Sequence, residues 1–240
     1  MQKFEKTLHF NNEIKFKLDG DFIVNFIESI DENDYIKVNH NFNSDQIEID
    51  ATEDNVTIVD KCKTTVDNND FENFKNSIAA NNGVVSAVAN FMIDALRFKS
   101  RVESSKREIV LEVYLRKVEP KKSIYLNAGN LKIDFNRIEC NDVLISAGNL
   151  TINQGGLTSN TLRINSGNLK ADIFFNERNR KINIKSSNAK VRLNKQPNFN
   201  GLITTSGNNI KVDDAIRSGT KDFGEFNAKL NNGTIKLVAI

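Results

Sequence analysis

Few side chains in this sequence have the types and spacing that catalysis asks for. Asp134 and Asp172 each stand five residues after a glycine of a recurring phrase, Gly129 and Gly167. Two carboxylates could serve as general acid and base on a glycosidic bond. If the phrases stack as successive rungs, however, the pair lies about 10 Å apart with Asn153 between. That is at or beyond the widest separation of an inverting pair. Asp213 and Asp214 are adjacent, so in a strand they point to opposite faces. There is no Trp to stack on a sugar, and the two histidines, His9 and His40, both precede the repeats. Neither has metal-ligand spacing to the other or to a Cys. Cys62 and Cys140 have no nearby His to activate them and read as buried apolar thiols. Gln154-Gly155-Gly156 is an isolated turn rather than a phosphate loop. These residues predict no enzyme, no cofactor and no metal site.

A second possible chemistry is cationic. Lys132, Lys170, Lys190 and Lys236 follow their turns by three residues and Lys211 by four. Stacked, they would form a basic stripe interrupted by Thr151. Such a stripe could meet an anionic surface, phospholipid or wall polymer. The competing reading is charge on the solvent side of strands, where it suppresses edge-to-edge pairing.

Both readings require elements that hold these side chains in files. The phrase recurs as Asn127-Ala128-Gly129-Asn130-Leu131-Lys132-Ile133, Ser146-Ala147-Gly148-Asn149-Leu150-Thr151-Ile152 and Asn165-Ser166-Gly167-Asn168-Leu169-Lys170-Ala171. Looser copies follow at Ser187-Asn188-Ala189, Gly207-Asn208-Asn209 and Asn232-Gly233-Thr234. The spacings are 19, 19, 20, 20 and 26 residues. Alternating apolar residues precede each phrase, Ile124 and Leu126 or Val143 and Ile145 for example. Each repeat therefore reads as strand, Gly-Asn turn, strand. Antiparallel hairpins would give a meander; the constant period favours a solenoid, each repeat one coil stacked on the next. In it, Asn130, Asn149, Asn168, Asn188 and Asn208 form a hydrogen-bonded ladder, and Leu131, Leu150, Leu169 and Ala189 an inward apolar column. The final strand, Ile235–Ile240, is expected to be an exposed edge.

The organisation predicted is an irregular N-terminal β region, 1–106, capping regular repeats, 107–240. Asp19-Gly20 reads as a turn, and 46–50 with 55–59 as the two arms of an irregular early repeat. Residues 71–99 place Phe71, Phe74, Ile78, Val84, Val88 and Leu96 at helical spacing. That segment could pack on the solenoid or form a homo-oligomer or partner interface.

Composition bounds the rest. The chain has 240 residues, 39% hydrophobic, with 33 basic against 31 acidic side chains. A net charge of +2 argues against a nucleic-acid binder. No apolar run is long enough for a membrane-spanning helix. The first residues do not read as a secretory signal, which predicts a cytoplasmic protein.

The Ala/Ser-Gly-Asn-Leu-x-Ile phrases at 128–133, 147–152 and 166–171, with Ile109-Val110-Leu111-Glu112-Val113 leading into Ile124-Tyr125-Leu126, resemble the putative-adhesin family of bacterial β-strand-repeat proteins. The resemblance covers about 107–240 well and 35–60 loosely. It implies a right-handed parallel β-solenoid, a non-enzymatic role and association with the cell envelope. It brings no catalytic residues. The expected function is an adhesin-like binding or scaffold module whose partner is a protein or an anionic envelope component. The alternatives are self-assembly through a strand edge or helix face, and a polysaccharide-acting β-helix enzyme.

Overall fold

In a computed structural model the chain is mainly β. The structure describes residues 2–61, 109–117 and 121–239, without 32, 42, 197 and 213–218. The predicted helical segment 71–99, Cys62, Asp213 and Asp214 lie outside the described residues. The strands are β1 (Gln2–Leu8), β2 (Glu13–Glu28), β3 (Asp34–His40), β4 (Ile47–Ala51), β5 (Asn55–Asp60), β6 (Ile109–Leu115) and β7 (Ser123–Asn136). They continue as β8 (Ile138–Asn153), β9 (Leu157–Phe175), β10 (Asn179–Lys195), β11 (Gly201–Ser206), β12 (Ile210–Val212) and β13 (Thr220–Ala239). One large, mostly parallel sheet holds them in the order β1-β3-β6-β2-β7-β8-β9-β10-β13-β11, with β12 beside β13.

The repeats are parallel neighbours in register. Asn130 faces Asn149 and Asn149 faces Asn168, each 19 residues on. Asn168 faces Asn188 one residue later, after 20. Period-two alternation explains the packing: alternate residues point inward along each strand, and the parity switches at the glycine bend, from Ile124 and Leu126 before it to Leu131 and Ile133 after it. Leu131, Leu150, Leu169 and Ala189 stack as one buried column. Ile133, Ile152, Ala171, Val191 and Ile235 form the next. Each Leu, Ile or Val buried this way contributes about 1.5–3 kcal/mol.

Several local readings are corrected. The Gly-Asn pairs are not turns between separate strands, because β7, β8 and β9 run unbroken through Gly129, Gly148 and Gly167. Neither residue of these pairs has positive φ. At Gly148 and Gly167 glycine is required for a different reason. A Cβ on Gly148 would lie 2.9 Å from the Gly129 carbonyl oxygen, and one on Gly167 would lie 2.8 Å from that of Gly148. At these two bends the preceding rung lies too close for a Cβ. Asp19-Gly20 likewise sits inside β2, which pairs in parallel with β7. β4 and β5 pair antiparallel, so they form a hairpin rather than an early repeat.

The last strand is not the sheet edge. β13 inserts between β10 and the pair β11 and β12. Ile235 therefore has Val191 on one side and Val212 on the other. The outermost described strands at this end are β11 and β12.

At the opposite end Asp34 is fully buried and ion-paired with buried Lys122. Its other oxygen accepts the Arg116 backbone N–H at 2.9 Å, and the Arg116 guanidinium stands 3.7 Å away. The pair ties the start of β3 to the start of β7.

Candidate groove on the outer face

The strand half that follows each glycine presents three outward files. The first is the asparagine ladder. Asn149 Nδ2 donates to Asn130 Oδ1 at 2.5 Å, Asn168 to Asn149 at 2.7 Å and Asn188 to Asn168 at 3.0 Å. The file goes on through Asn232, which donates to Asn188 at 3.4 Å, and ends with Asn209, which donates to Asn232 at 3.2 Å. Asn208 is not the final rung. The register sets Ile210 beside Gly233, so Asn209, held at φ 55°, meets Asn232. At the other end Asn130 donates to Asp21 Oδ1 at 2.6 Å. Every amide thus donates in one direction, toward a carboxylate that can only accept. A charged acceptor at the end of a polarised chain strengthens it. Asp21 was missed in the sequence, although Gly20-Asp21 is the phrase with Asp in place of Asn.

The second file is cationic. The register runs Lys132, Thr151, Lys170, Lys190, Thr234, Lys211. Lys236 does not belong to it. Gly233 aligns with Ala189 rather than with Ser187, which shifts the last phrase by two residues and puts Thr234 in the file. Lys236 instead extends the third file, Asp134, Asn153, Asp172, Arg192, Lys236. The two carboxylates considered for acid–base chemistry are thus two rungs apart, and Asp172 accepts a hydrogen bond from Asn194 Nδ2.

Two adjoining grooves run between these files. One, about 710 Å³, lies between the asparagine ladder and the lysine file. The other, about 970 Å³, lies between the lysine file and the third file. Lys132, Lys170, Lys190, Arg192 and Lys236 are exposed, and none makes an ion pair with another described residue.

The other residues singled out in the sequence lie elsewhere. Cys140 is buried inside β8, and burial pushes its thiol up to about 12, which suppresses thiolate chemistry at neutral pH. His40 is buried in β3 and His9 is exposed between β1 and β2. No group of metal-ligating side chains occurs among the described residues. No helix among them is long and apolar enough to cross a membrane.

No family model matches the chain, and no curated protein matches it. It aligns with several solved structures. One is a putative cell adhesion protein from Clostridium sporogenes, at 12% identity over 100% of this chain and 99% of that one, with a TM-score of 0.39. A putative adhesin from Bacteroides fragilis aligns at 10% identity over 99% and 97%, with a TM-score of 0.40. A putative adhesin from Parabacteroides distasonis aligns at 12% identity over 99% and 97%, with a TM-score of 0.38. Each of the three is a bacterial protein described as an adhesin or a cell adhesion protein.

Proposed function

We propose that this chain is a right-handed parallel β-solenoid that works as a non-enzymatic, adhesin-like binding or scaffold module at the cell envelope. One observation carries the reading: three outward files recur in register over consecutive rungs and border two continuous grooves. A ladder of equivalent groups suits an extended partner, because each rung repeats the contact of the one before. A catalytic centre instead needs unlike groups converging on one point. The sequence resemblance to bacterial strand-repeat adhesins points the same way.

The test is co-sedimentation of the full chain with bacterial envelope fractions. Distributed contacts predict that Thr151→Ala alone weakens binding less than about threefold, whereas combined replacement along one file abolishes it. Release of reducing ends from an envelope polysaccharide, lost on replacing Asp134 or Asp172, would reject the non-enzymatic reading.

Self-assembly is the second reading. It is favoured by the outermost position of β11 and β12, by half-buried Ile203, Ile210 and Val212, and by Phe223, which is 54% exposed. Light scattering that reports a monomer at high concentration rejects it.

A further inference from the structure

We propose that the lysine-bordered groove binds a linear acidic polysaccharide of the polyuronate type, laid along the stacking direction; this rests on the binding-module reading above and names its ligand class. The charge balance of the groove is the first argument. The chain as a whole carries only +2. The groove between the second and third files is bordered by five cations, Lys132, Lys170, Lys190, Arg192 and Lys236, against two carboxylates, Asp134 and Asp172. This strip therefore carries a local charge of +3, more than the +2 of the whole chain, and the rest of the chain is slightly acidic in balance. One of the two carboxylates is already engaged by Asn194, and the cations have no anionic partner among the described residues.

Spacing is the second argument. Rungs of a parallel sheet repeat at about 4.8 Å. A ring of an extended 1,4-linked sugar chain is comparable in length to one rung. A polyuronate carries one carboxylate on each ring, and in an extended twofold chain those on one side recur at every second ring, which suits the two-rung step from Lys132 to Lys170. Lys170 and Lys190 occupy consecutive rungs, and Lys132 lies two rungs before Lys170. Thr151 and Thr234 occupy two further rungs of that file, with Lys211 beyond Thr234, and offer hydroxyl donors to ring or carboxylate oxygens. The aliphatic stems of the lysines supply apolar contact to the sugar rings while their ammonium groups reach the carboxylates.

Shape is the third argument. The cations border a shallow, open depression that can seat a single extended chain along the stacking direction.

The experiment uses the full chain with polygalacturonate as the probe, by affinity electrophoresis and calorimetry. Polygalacturonate retards the protein and neutral dextran does not. Affinity falls at least about tenfold between about 50 and about 200 mM salt, because counterions are released on binding. The combined variant Lys132→Gln, Lys170→Gln, Lys190→Gln loses at least about tenfold in affinity and most of the salt dependence. The control Lys185→Gln, Lys229→Gln removes the same kind of charge from the outward side of the other strand half, where these two residues stack on each other. It changes affinity less than about twofold. All five lysines are exposed, and far-ultraviolet dichroism checks that each variant is folded.

Equal loss in the two variants overturns the proposal, since binding would then follow bulk charge. Tighter binding to anionic phospholipid vesicles or to duplex DNA than to polygalacturonate overturns it as well, as does the absence of retardation at low salt. Envelope co-sedimentation that survives the triple variant leaves the binding-module reading standing while the polyuronate falls. Polygalacturonate binding by a chain that does not co-sediment with envelopes does the reverse.

Discussion

At the scale of single residues the asparagine ladder shows how a small polar side chain becomes structural by repetition. Asn149 both donates to Asn130 and accepts from Asn168. Replacing it breaks both bonds and leaves the freed amide and carbonyl to solvent. Each net hydrogen bond contributes about 0.5–1.5 kcal/mol. Asn149→Ala should therefore cost about 1–3 kcal/mol in urea unfolding, whereas Asn208→Ala, outside the file, should stay within about 0.5 kcal/mol. Equal costs would show that the ladder contributes nothing to stability. The recurrence of Asn after Gly made most of this file legible in the sequence. Its last rungs were not, because they depend on where β13 inserts. Asn232 donates to Asn188 across 44 residues, a partnership that no local spacing reveals.

At the scale of elements, strand periodicity was easy to read and the bends were misread. Glycine beside asparagine looks like turn chemistry, since both tolerate positive φ. The strands instead pass through these glycines, and what excludes a side chain is the stacked rung beside them. The demand is graded along the file. A Cβ on Gly148 would lie 2.9 Å from the Gly129 oxygen, but one on Gly129 would lie 3.6 Å from the Gly20 oxygen. Gly148→Ala should destabilise by about 1–3 kcal/mol through forced backbone shifts. Gly129→Ala should be close to neutral or slightly stabilising, through reduced freedom of the unfolded chain. Thermal denaturation of the two variants checks the contrast, and a reversed order would refute the close-approach explanation. The same ambiguity explains why residues 46–59 read as an early repeat. Alternation identifies two strands but is the same for parallel and antiparallel partners.

At the scale of the whole molecule, the N-terminal region and the repeats share one sheet. β2 lies between β6 and β7, so Phe22 caps the leucine column by pairing with Leu131, and Val24 caps the next column beside Ile133. The buried Asp34–Lys122 pair adds a second tie across the same boundary. A chain of residues 107–240 would expose Ile124, Leu126, Leu131 and Ile133 along an open strand edge and leave Lys122 without its carboxylate. We expect that fragment to self-associate in light scattering, and the full chain to unfold in one transition seen alike by dichroism and fluorescence. A monomeric, cooperatively folded fragment would show that the repeats are independent of what precedes them.

The sequence alone determined the strand content, the rung length, the inward column and the outward asparagine and lysine positions of the first repeats. These follow from period-two alternation and a constant repeat length, both written locally along the chain. Only the tertiary structure decided which strands are neighbours at the two ends. It placed β2 ahead of β7 and β13 between β10 and β11, which moved Lys236 into another file and brought Asp21, Asn209 and Asn232 into the ladder. The physical reason is that backbone hydrogen bonds between strands carry no residue identity. Register at the ends is therefore set by how the whole core closes, and local spacing does not record it.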